Sequence, residues 1–441
     1  MFFNSFEYIV FLIVIFLFTL LTNREKTLQI RNGGLLIASY YFYAQLHAYF
    51  VILLAYTTLV NFVCGKWIMH NRKNNKNTKI PTVIAIILSL AILVFFKYAY
   101  FFEASIILPV GLSFFTFQAL SYTIDIYRGK IEEEKNILHV ALFIAFFPTL
   151  LSGPIERARN LIPQLHQPTP ISWDSVLCGG RLFIWGLFKK VVIADRLAEY
   201  VDWAYSSANT QTGSTLAIAA LFYSFQIYCD FSGYADMAIS SGKILGFNIM
   251  QNFKFPYFAN TIKDFWRRWH ISLTSWFTEY VYISMDGNRV SQARWIVNIT
   301  TVFLLSGIWH GAALGFIVWG ALHAVLYLIE HFCKLERPYF LNQIIVFMLV
   351  CLAWIFFRIE DCSNAWHIIT RTCTDIISPI GLGSSAFSTL LTTGLLVFFI
   401  IREHLIYKEK LPQRYAIEYV LLILGIGLFG VSSDQFVYFQ F

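Results

Sequence analysis

The chain has 441 residues, of which 57% are hydrophobic and only 13% charged, with a formal net charge of +7 and a mean hydropathy of +0.60. A soluble domain carries about 25% charged residues, so this chain lacks the polar surface to face water on every side. Its basic residues fall in short loops between apolar runs, as the positive-inside rule requires of a membrane protein, and this excludes nucleic acid as the partner behind the net charge.

At about 20 residues per crossing, the composition leaves room for roughly ten or eleven spans. We expect one integrated membrane domain over residues 1–441. The abundance of Phe (44), Tyr (24) and Trp (12) suits packed membrane helices and interfacial aromatic belts. The seven cysteines include no CxxC pair, and most lie in apolar stretches. They imply neither a zinc site nor a disulfide framework.

Residues 1–22 lack a positive start and a small-residue cleavage site, so they read as a retained first helix rather than a signal peptide. The loops TNREKTLQIR and KWIMHNRKNNKNTK are both basic. Placing both in the cytoplasm puts the N-terminus outside and requires an even number of crossings between them. Gly33–His47 and Ala48–Cys64 supply two. Ile80–Ala99 is a further span, and Ile106–Tyr127 is apolar but punctuated by Pro109, Gly111 and Asp125.

Leu138–Leu151 is short for a span and reads as partly embedded. Arg181–Ala194 and Ala217–Cys229 are the next apolar blocks, followed by a polar stretch, Gly246–Arg268, expected on the cytoplasmic side. Trp295–Ile329 is long enough for more than one helix, and Asn342–Phe357, Ser388–Ile401 and Ala416–Gly430 complete the chain. RIEDCSNAWHIITRTCTD is less basic than REHLIYKEKLPQR, which places the first outside, the second inside and the C-terminus outside.

Four polar constellations interrupt this background. In LPVGLSFFTFQALSYTIDIYRGK, Ser113, Thr116, Gln118, Ser121 and Thr123 are too polar for a lipid-facing helix, and the spacing lets Asp125 pair with Arg128. Packing by interhelical hydrogen bonds accounts for these residues about as well as function does. In FFPTLLSGPIERARN, Pro148, Gly153 and Pro154 break a helix before a charged end. Such a break at membrane depth is tolerated only where the backbone is buried or lines a cavity; a span ending at the interface is the alternative.

In YCDFSGYADMAISSGKILGFN, Asp230, Ser232, Tyr234 and Asp236 fall within two turns. Asp230 is placed to orient a histidine or to hold a partner's charge, unless this is simply a helix end at the water interface. The fourth stretch reads FWRRWHISLTSWFTEY and, beyond a polar loop, VFLLSGIWHGAALGFIVWGALHA. His310 lies inside an apolar run between Trp309 and Gly311, and an ionisable group there is a functional candidate by default. Imidazole exchanges a proton near neutral pH, as a transfer reaction needs. Gly307 and Gly311 thin the helix for close approach of a backbone or a ligand. His270 is either a satisfied core histidine or a second functional group. Trp266, Arg267 and Arg268 form either a basic mouth for a phosphorylated donor or a snorkelling interfacial helix.

These segments, in this order, resemble the membrane-bound O-acyltransferase (MBOAT) family, and within it the bacterial branch of the alginate O-acetyltransferase membrane subunit. The stretches that carry the resemblance are LPVGLSFFTFQALSYTIDIYRG, FIAFFPTLLSGPIER, YCDFSGYADMAI, NFKFPYFANTIKDFWRRWHISLTSWFTEYVYI, GNR and GIWHGAALGFIVWGALH, between about Leu108 and His323. ISMDGNR departs from the loop wording usual in the family.

The resemblance implies an all-α polytopic fold, a ring of roughly ten or eleven transmembrane helices with shorter re-entrant or interfacial helices around a central funnel. It implies that His310 of GIWHGA is the catalytic histidine and that His270 of WRRWHISL holds the family's second signature position. Asp230, Ser232 and Trp309 would support or orient, and Arg267, Arg268 and Trp266 would bind the donor. The implied reaction moves an acetyl group from cytoplasmic acetyl-CoA to an extracytoplasmic polysaccharide through a separate partner protein, at the bacterial inner membrane. No permanently bound cofactor and no metal are expected for it. D-alanyl transfer to an envelope polymer is the alternative, and a polysaccharide or lipid transporter is a more distant one.

Overall fold

The structure, a computed structural model, describes residues 1–98, 107–333, 338–410 and 416–431. Ala99 and Ile106, at the edges of two expected spans, lie outside the described residues, as do residues 411–414 of REHLIYKEKLPQR and the C-terminal end, residues 432–441. The described residues form helices and no strand. Contacts divide the chain into two compact units, Met1–Phe183 with Tyr234–Gln251, and Ile184–Gly233 with Asn252–Phe441.

Five described helices are long and apolar enough to cross a bilayer unaided: Ala48–Lys73, Lys79–Tyr98, Leu314–Cys333, Tyr339–Arg358 and Ala386–Tyr407. The pair Phe6–Thr22 and Glu25–Ala44, bent by 120°, would make a sixth. The chain is therefore a multi-pass helical membrane protein. Other long helices carry Ser, Asp and Lys among their apolar residues, so length and apolarity do not mark them as spans.

The first unit opens with α1 (Phe6–Thr22), whose start is capped where Ser5 Oγ accepts the Tyr8 N–H at 3.2 Å. α2 (Leu28–Ala44), α3 (Val51–Lys73), α4 (Lys79–Tyr98) and α5 (Leu112–Tyr127) follow. Fully buried Arg31 donates to the carbonyls of Gln164, Leu165 and Gln167. Arg72 donates to the carbonyls of Ile126 and Tyr127, and Lys73 pairs with Glu133 at 3.6 Å. His166 reaches Glu134. These links gather the loops after α1, α3 and α5 at one end of the unit. The two basic loops thus lie at the same end of the unit.

From that end, α6 (Ile137–Ala145) enters, the chain breaks through α7 (Phe147–Leu150), and α8 (Ala158–Leu165) returns. At about 1.5 Å per residue a helix as short as α6 covers roughly half the hydrocarbon thickness. Asn136 caps its start and His166 closes the return beside Glu134, so this segment enters and leaves at the same end. Leu138–Leu151, expected to be partly embedded, thus belongs to a segment that is re-entrant within the unit, beginning and ending at one end.

The break is buried, and its polar backbone is met from α5 and from α2, where Ser39 Oγ accepts the Phe147 N–H at 3.1 Å. Gln118 Nε2 donates to the Phe143 carbonyl, and Gln118 Oε1 accepts the Glu156 N–H at 3.1 Å. A Cβ on Gly153 would come within 2.6 Å of the Pro148 carbonyl oxygen, so the turn closes only on glycine. Asp125, fully buried, faces Lys130 at 3.7 Å and Arg159 at 3.8 Å, so the carboxylate serves as an anchor for the chain that follows α5 and for α8.

α9 (Trp173–Phe188) runs into a π-helical turn, Lys189–Ala194, then α10 (Asp195–Ser206) and the long α11 (Gly213–Ile244). The second unit continues with α12 (Ile262–Arg268), α13 (Ile271–Phe277), α14 (Gln292–His310), α15 (Leu314–Cys333), α16 (Tyr339–Arg358), α17 (Cys362–Thr374), α18 (Ala386–Tyr407) and α19 (Ala416–Phe429). The run Trp295–Ile329 is thus two helices, α14 and α15. They cross closely because a Cβ on Gly307 would lie 2.3 Å from the Phe316 carbonyl oxygen, and one on Gly320 would lie 2.5 Å from that of Phe303. The Phe316 ring fills the space over Gly311. The thin face beside His310 therefore receives a neighbouring helix rather than a ligand.

Candidate active site

His310 is the last residue of α14, 4% exposed, where Gly311 turns the chain out of the helix. Aromatic rings pack around it. Trp309, Phe357 and Trp319 stand edge-on at centroid distances of 4.8, 4.9 and 5.3 Å. Edge contacts of this kind hold a ring in one orientation, so the imidazole of His310 is fixed before any substrate arrives.

His270 sits between α12 and α13 with φ +43° and ψ +53°, a left-handed conformation that costs a non-glycine residue about 1–2 kcal/mol. The residue that holds it there is Asn252. Its carbonyl accepts the Ile271 N–H at 2.8 Å. Its side-chain Oδ1 meets His270 Nδ1 at 3.1 Å, the Ser272 N–H at 3.2 Å and Ser272 Oγ at 2.9 Å. Strained backbone that its surroundings over-determine is concentrated at functional positions. The Trp309 ring links the two histidines, standing 6.0 Å from His270 and 4.8 Å from His310. Residues forty apart in sequence thus share one aromatic wall.

Asp230 and Ser232 lie in the middle of the continuous helix α11, almost fully buried, so the stretch is not a helix end at the water interface. Asp230 Oδ1 stands 2.7 Å from Lys190 Nζ, which also donates to Asp195 at 2.8 Å. Lys189 Nζ donates to Ser232 Oγ at 2.9 Å. Both consecutive lysines lie inside because the whole π-helical turn 189–194 is buried. Of the two roles expected for Asp230, the structure displays the holding of a buried positive charge. A buried pair of this kind is costly to break from one side only.

The basic mouth divides in two. Arg267 lines a cavity of about 390 Å³ together with Lys263, Trp266, Thr274, Asn288 and Ser306. That size lies within the range of small-molecule sites, ~300–1,000 Å³. Arg268 is engaged elsewhere, with Nε donating to Asp264 at 2.9 Å and the guanidinium over the Tyr407 ring at 5.7 Å. On α14 the cavity touches Ile299, Phe303 and Ser306. These positions continue one turn later at His310, on the same helix face. Trp266 closes the inner side, donating from Nε1 to His323 Nδ1 at 3.3 Å and packing on Trp319, which in turn abuts His310.

Every residue expected from sequence is placed by these contacts in the second unit. Asn252, Lys189, Lys190, Lys263 and His323 were missed. Asn252 lies in a loop and Lys263 in the first turn of α12, in a polar stretch whose composition singles out neither, while Lys189, Lys190 and His323 resemble ordinary residues at a helix end or in a packed core.

Residues 36–359 match the model of the MBOAT, membrane-bound O-acyltransferase family. The chain belongs to that family. It is 39% identical to the probable alginate O-acetylase AlgI of Pseudomonas aeruginosa over 359 residues, covering 77% of this chain and 69% of the relative. It is 30% identical to the peptidoglycan O-acetyltransferase of Helicobacter pylori, covering 92% of this chain and 91% of that protein. Similarity to the teichoic acid D-alanyltransferase of Bacillus subtilis is 32% and covers 49% of this chain and 57% of the relative. This MBOAT protein is accordingly an O-acyltransferase, and its similarity is to enzymes that acylate envelope polymers.

Proposed function

We propose that this MBOAT protein takes an acetyl group from acetyl-CoA on the cytoplasmic side and passes it toward an extracytoplasmic polysaccharide, an alginate-like exopolysaccharide or peptidoglycan, through a partner acetyltransferase. The observation that carries this reading is the shared wall of His270, Trp309 and His310, with a cation-lined cavity ending one turn from His310. Two relatives of high coverage are named as O-acetylating enzymes, which favours acetyl over D-alanyl transfer.

In this mechanism His310 accepts the proton of the attacking hydroxyl as its oxygen bonds to the thioester carbonyl carbon. The carbon–sulfur bond then breaks, and the CoA thiolate leaves with that proton returned from His310. A positioned base of this kind contributes about 10²–10⁴-fold. His270, fixed by Asn252, supports the developing charge, Trp309 orients both rings, and Asp230 and Ser232 hold the buried lysines beside them. Lys263 and Arg267 meet the phosphates of the donor, Trp266 closes its cavity, and Arg268 orders the mouth through Asp264. The whole chain works as one membrane acyltransferase domain, and polar-lined helices such as α11 and α14 supply crossings toward the expected ten or eleven.

The test is transfer from radiolabelled acetyl-CoA by the purified full-length protein with its candidate partner and acceptor. Label should move to the acceptor with the parent protein and stay on CoA with H310A. Transfer at the parental rate by H310A would overturn the assignment. Label arriving only from a D-alanyl donor would move the enzyme to the alternative branch.

A further inference from the structure

Glu134, His139 and His166, to which no part in acyl transfer is assigned, converge at one end of the first unit. His166 Nε2 lies 2.6 Å from Glu134 Oε2, and His139 Nδ1 lies 3.5 Å from Glu134 Oε1. The two imidazoles meet edge to face at 4.4 Å. One ligand atom from each of the three residues falls within 4.8 Å of the others.

Hydrogen bonding explains only part of this cluster. His139 is 3% exposed, its Nδ1 faces Glu134 without a well-formed hydrogen bond, and its Nε2 has no hydrogen-bond partner. Leaving a buried imidazole unsatisfied costs about 1–3 kcal/mol, so an unexplained ligand atom points into the cluster. The Asn136 N–H fixes Glu134 Oε1 at 2.9 Å, the kind of outer support that metal-bound carboxylates carry.

We propose that Glu134, His139 and His166 bind a divalent transition ion of the zinc class and that this ion closes the mouth of the re-entrant segment 136–166. Two imidazole nitrogens and one carboxylate oxygen suit such an ion, with water completing a tetrahedron. Ligands about 2.0–2.2 Å from one ion stand roughly 3.3–3.5 Å apart in a tetrahedral site. His139 and Glu134 already have nearly that spacing. The adjustable ligand is His166, whose side chain is 52% exposed and can swing without disturbing the core. Its Nε2 proton, now directed at Glu134, leaves for Nδ1 or for solvent when the metal enters.

The location gives the ion a purpose. His139 belongs to the first turn of α6 and His166 caps the end of α8, while Glu134 belongs to the loop that precedes both. One ion would tie the entry and the exit of the re-entrant segment to that loop, adding the binding free energy to the stability of the fold.

The experiment uses the full-length protein, purified with a tag free of histidines, stripped with EDTA and titrated with Zn²⁺ alone and with Co²⁺ alone. One equivalent should bind saturably, Co²⁺ should show the visible absorption of a tetrahedral site, and Zn²⁺ should raise the melting temperature. H166Q and E134Q should each weaken binding by at least about 100-fold, and Zn²⁺ should no longer raise their melting temperature. H166Q alters an exposed side chain, so it should melt like the parent in EDTA, which separates lost binding from lost folding. Failure of the parent to bind either ion would overturn the proposal and leave an ion-paired clamp. Parental binding by both variants would overturn it equally, placing the ion elsewhere, for example at the exposed cysteines 178, 333 and 373.

Discussion

Two helix breaks in this protein are built from opposite materials. In the first unit, the break between α6 and α8 uses the residues that physics makes cheap, Pro148, Gly153 and Pro154, and its loose backbone groups are met by side chains such as Gln118 and Ser39. In the second unit, the break between α12 and α13 has neither glycine nor proline. It places a histidine at φ +43° and requires Asn252 to hold it. A chain that only needed to turn would use the first solution. The second accepts strain and thereby fixes an imidazole against Trp309. On the proposed function, the first break is architecture and the second positions chemistry.

Substitutions at and around the second break should cost catalysis first. H310A should lower kcat by about 10²–10⁴-fold with expression and melting temperature near those of the parent, measured by acetyl transfer and thermal unfolding. N252A removes the three side-chain contacts that hold His270 and Ser272 and keeps the main-chain bond to Ile271. We expect kcat to fall about 10–100-fold with donor KM little changed. A fall in stability with full specific activity would show that the second break, too, is only architecture.

The cavity beside the second break gives a finer contrast. R267E should raise the donor KM about 10-fold or more, as expected for losing a charged contact worth ~1.5–3 kcal/mol. R268E should act mainly through its partner Asp264 and shift KM less. Equal effects would remove the distinction between a residue that lines the cavity and one that orders its rim. At the first break, Q118A leaves the Phe143 carbonyl and the Glu156 N–H without their partner. It should destabilise the protein by about 1–3 kcal/mol, while the folded fraction keeps parental kcat. A loss of kcat as large as that of N252A would collapse the comparison.

The sequence by itself determined the membrane setting, the family, and the candidate status of His310, Trp309 and His270. These are local properties: an ionisable residue inside an apolar run, or a short motif, is legible without knowing what it touches. The same holds for the break at Gly153–Pro154, where residue type alone dictates the bend.

Only the tertiary structure decided the partners. Asn252 lies 18 residues before His270, Lys190 lies 40 before Asp230, and Gln118 supports a break 25 to 38 residues further on. A polar residue in a hydrophobic stretch announces that it needs a partner, because burying it unpaired is costly. Which partner meets it depends on how helices distant in sequence pack. The same reason separates Arg267 from its neighbour Arg268, and returns the chain after Leu138–Leu151 to the end of the unit it started from. Hydropathy counts how much apolar surface must be hidden, but only packing determines where the chain turns back and which charges meet.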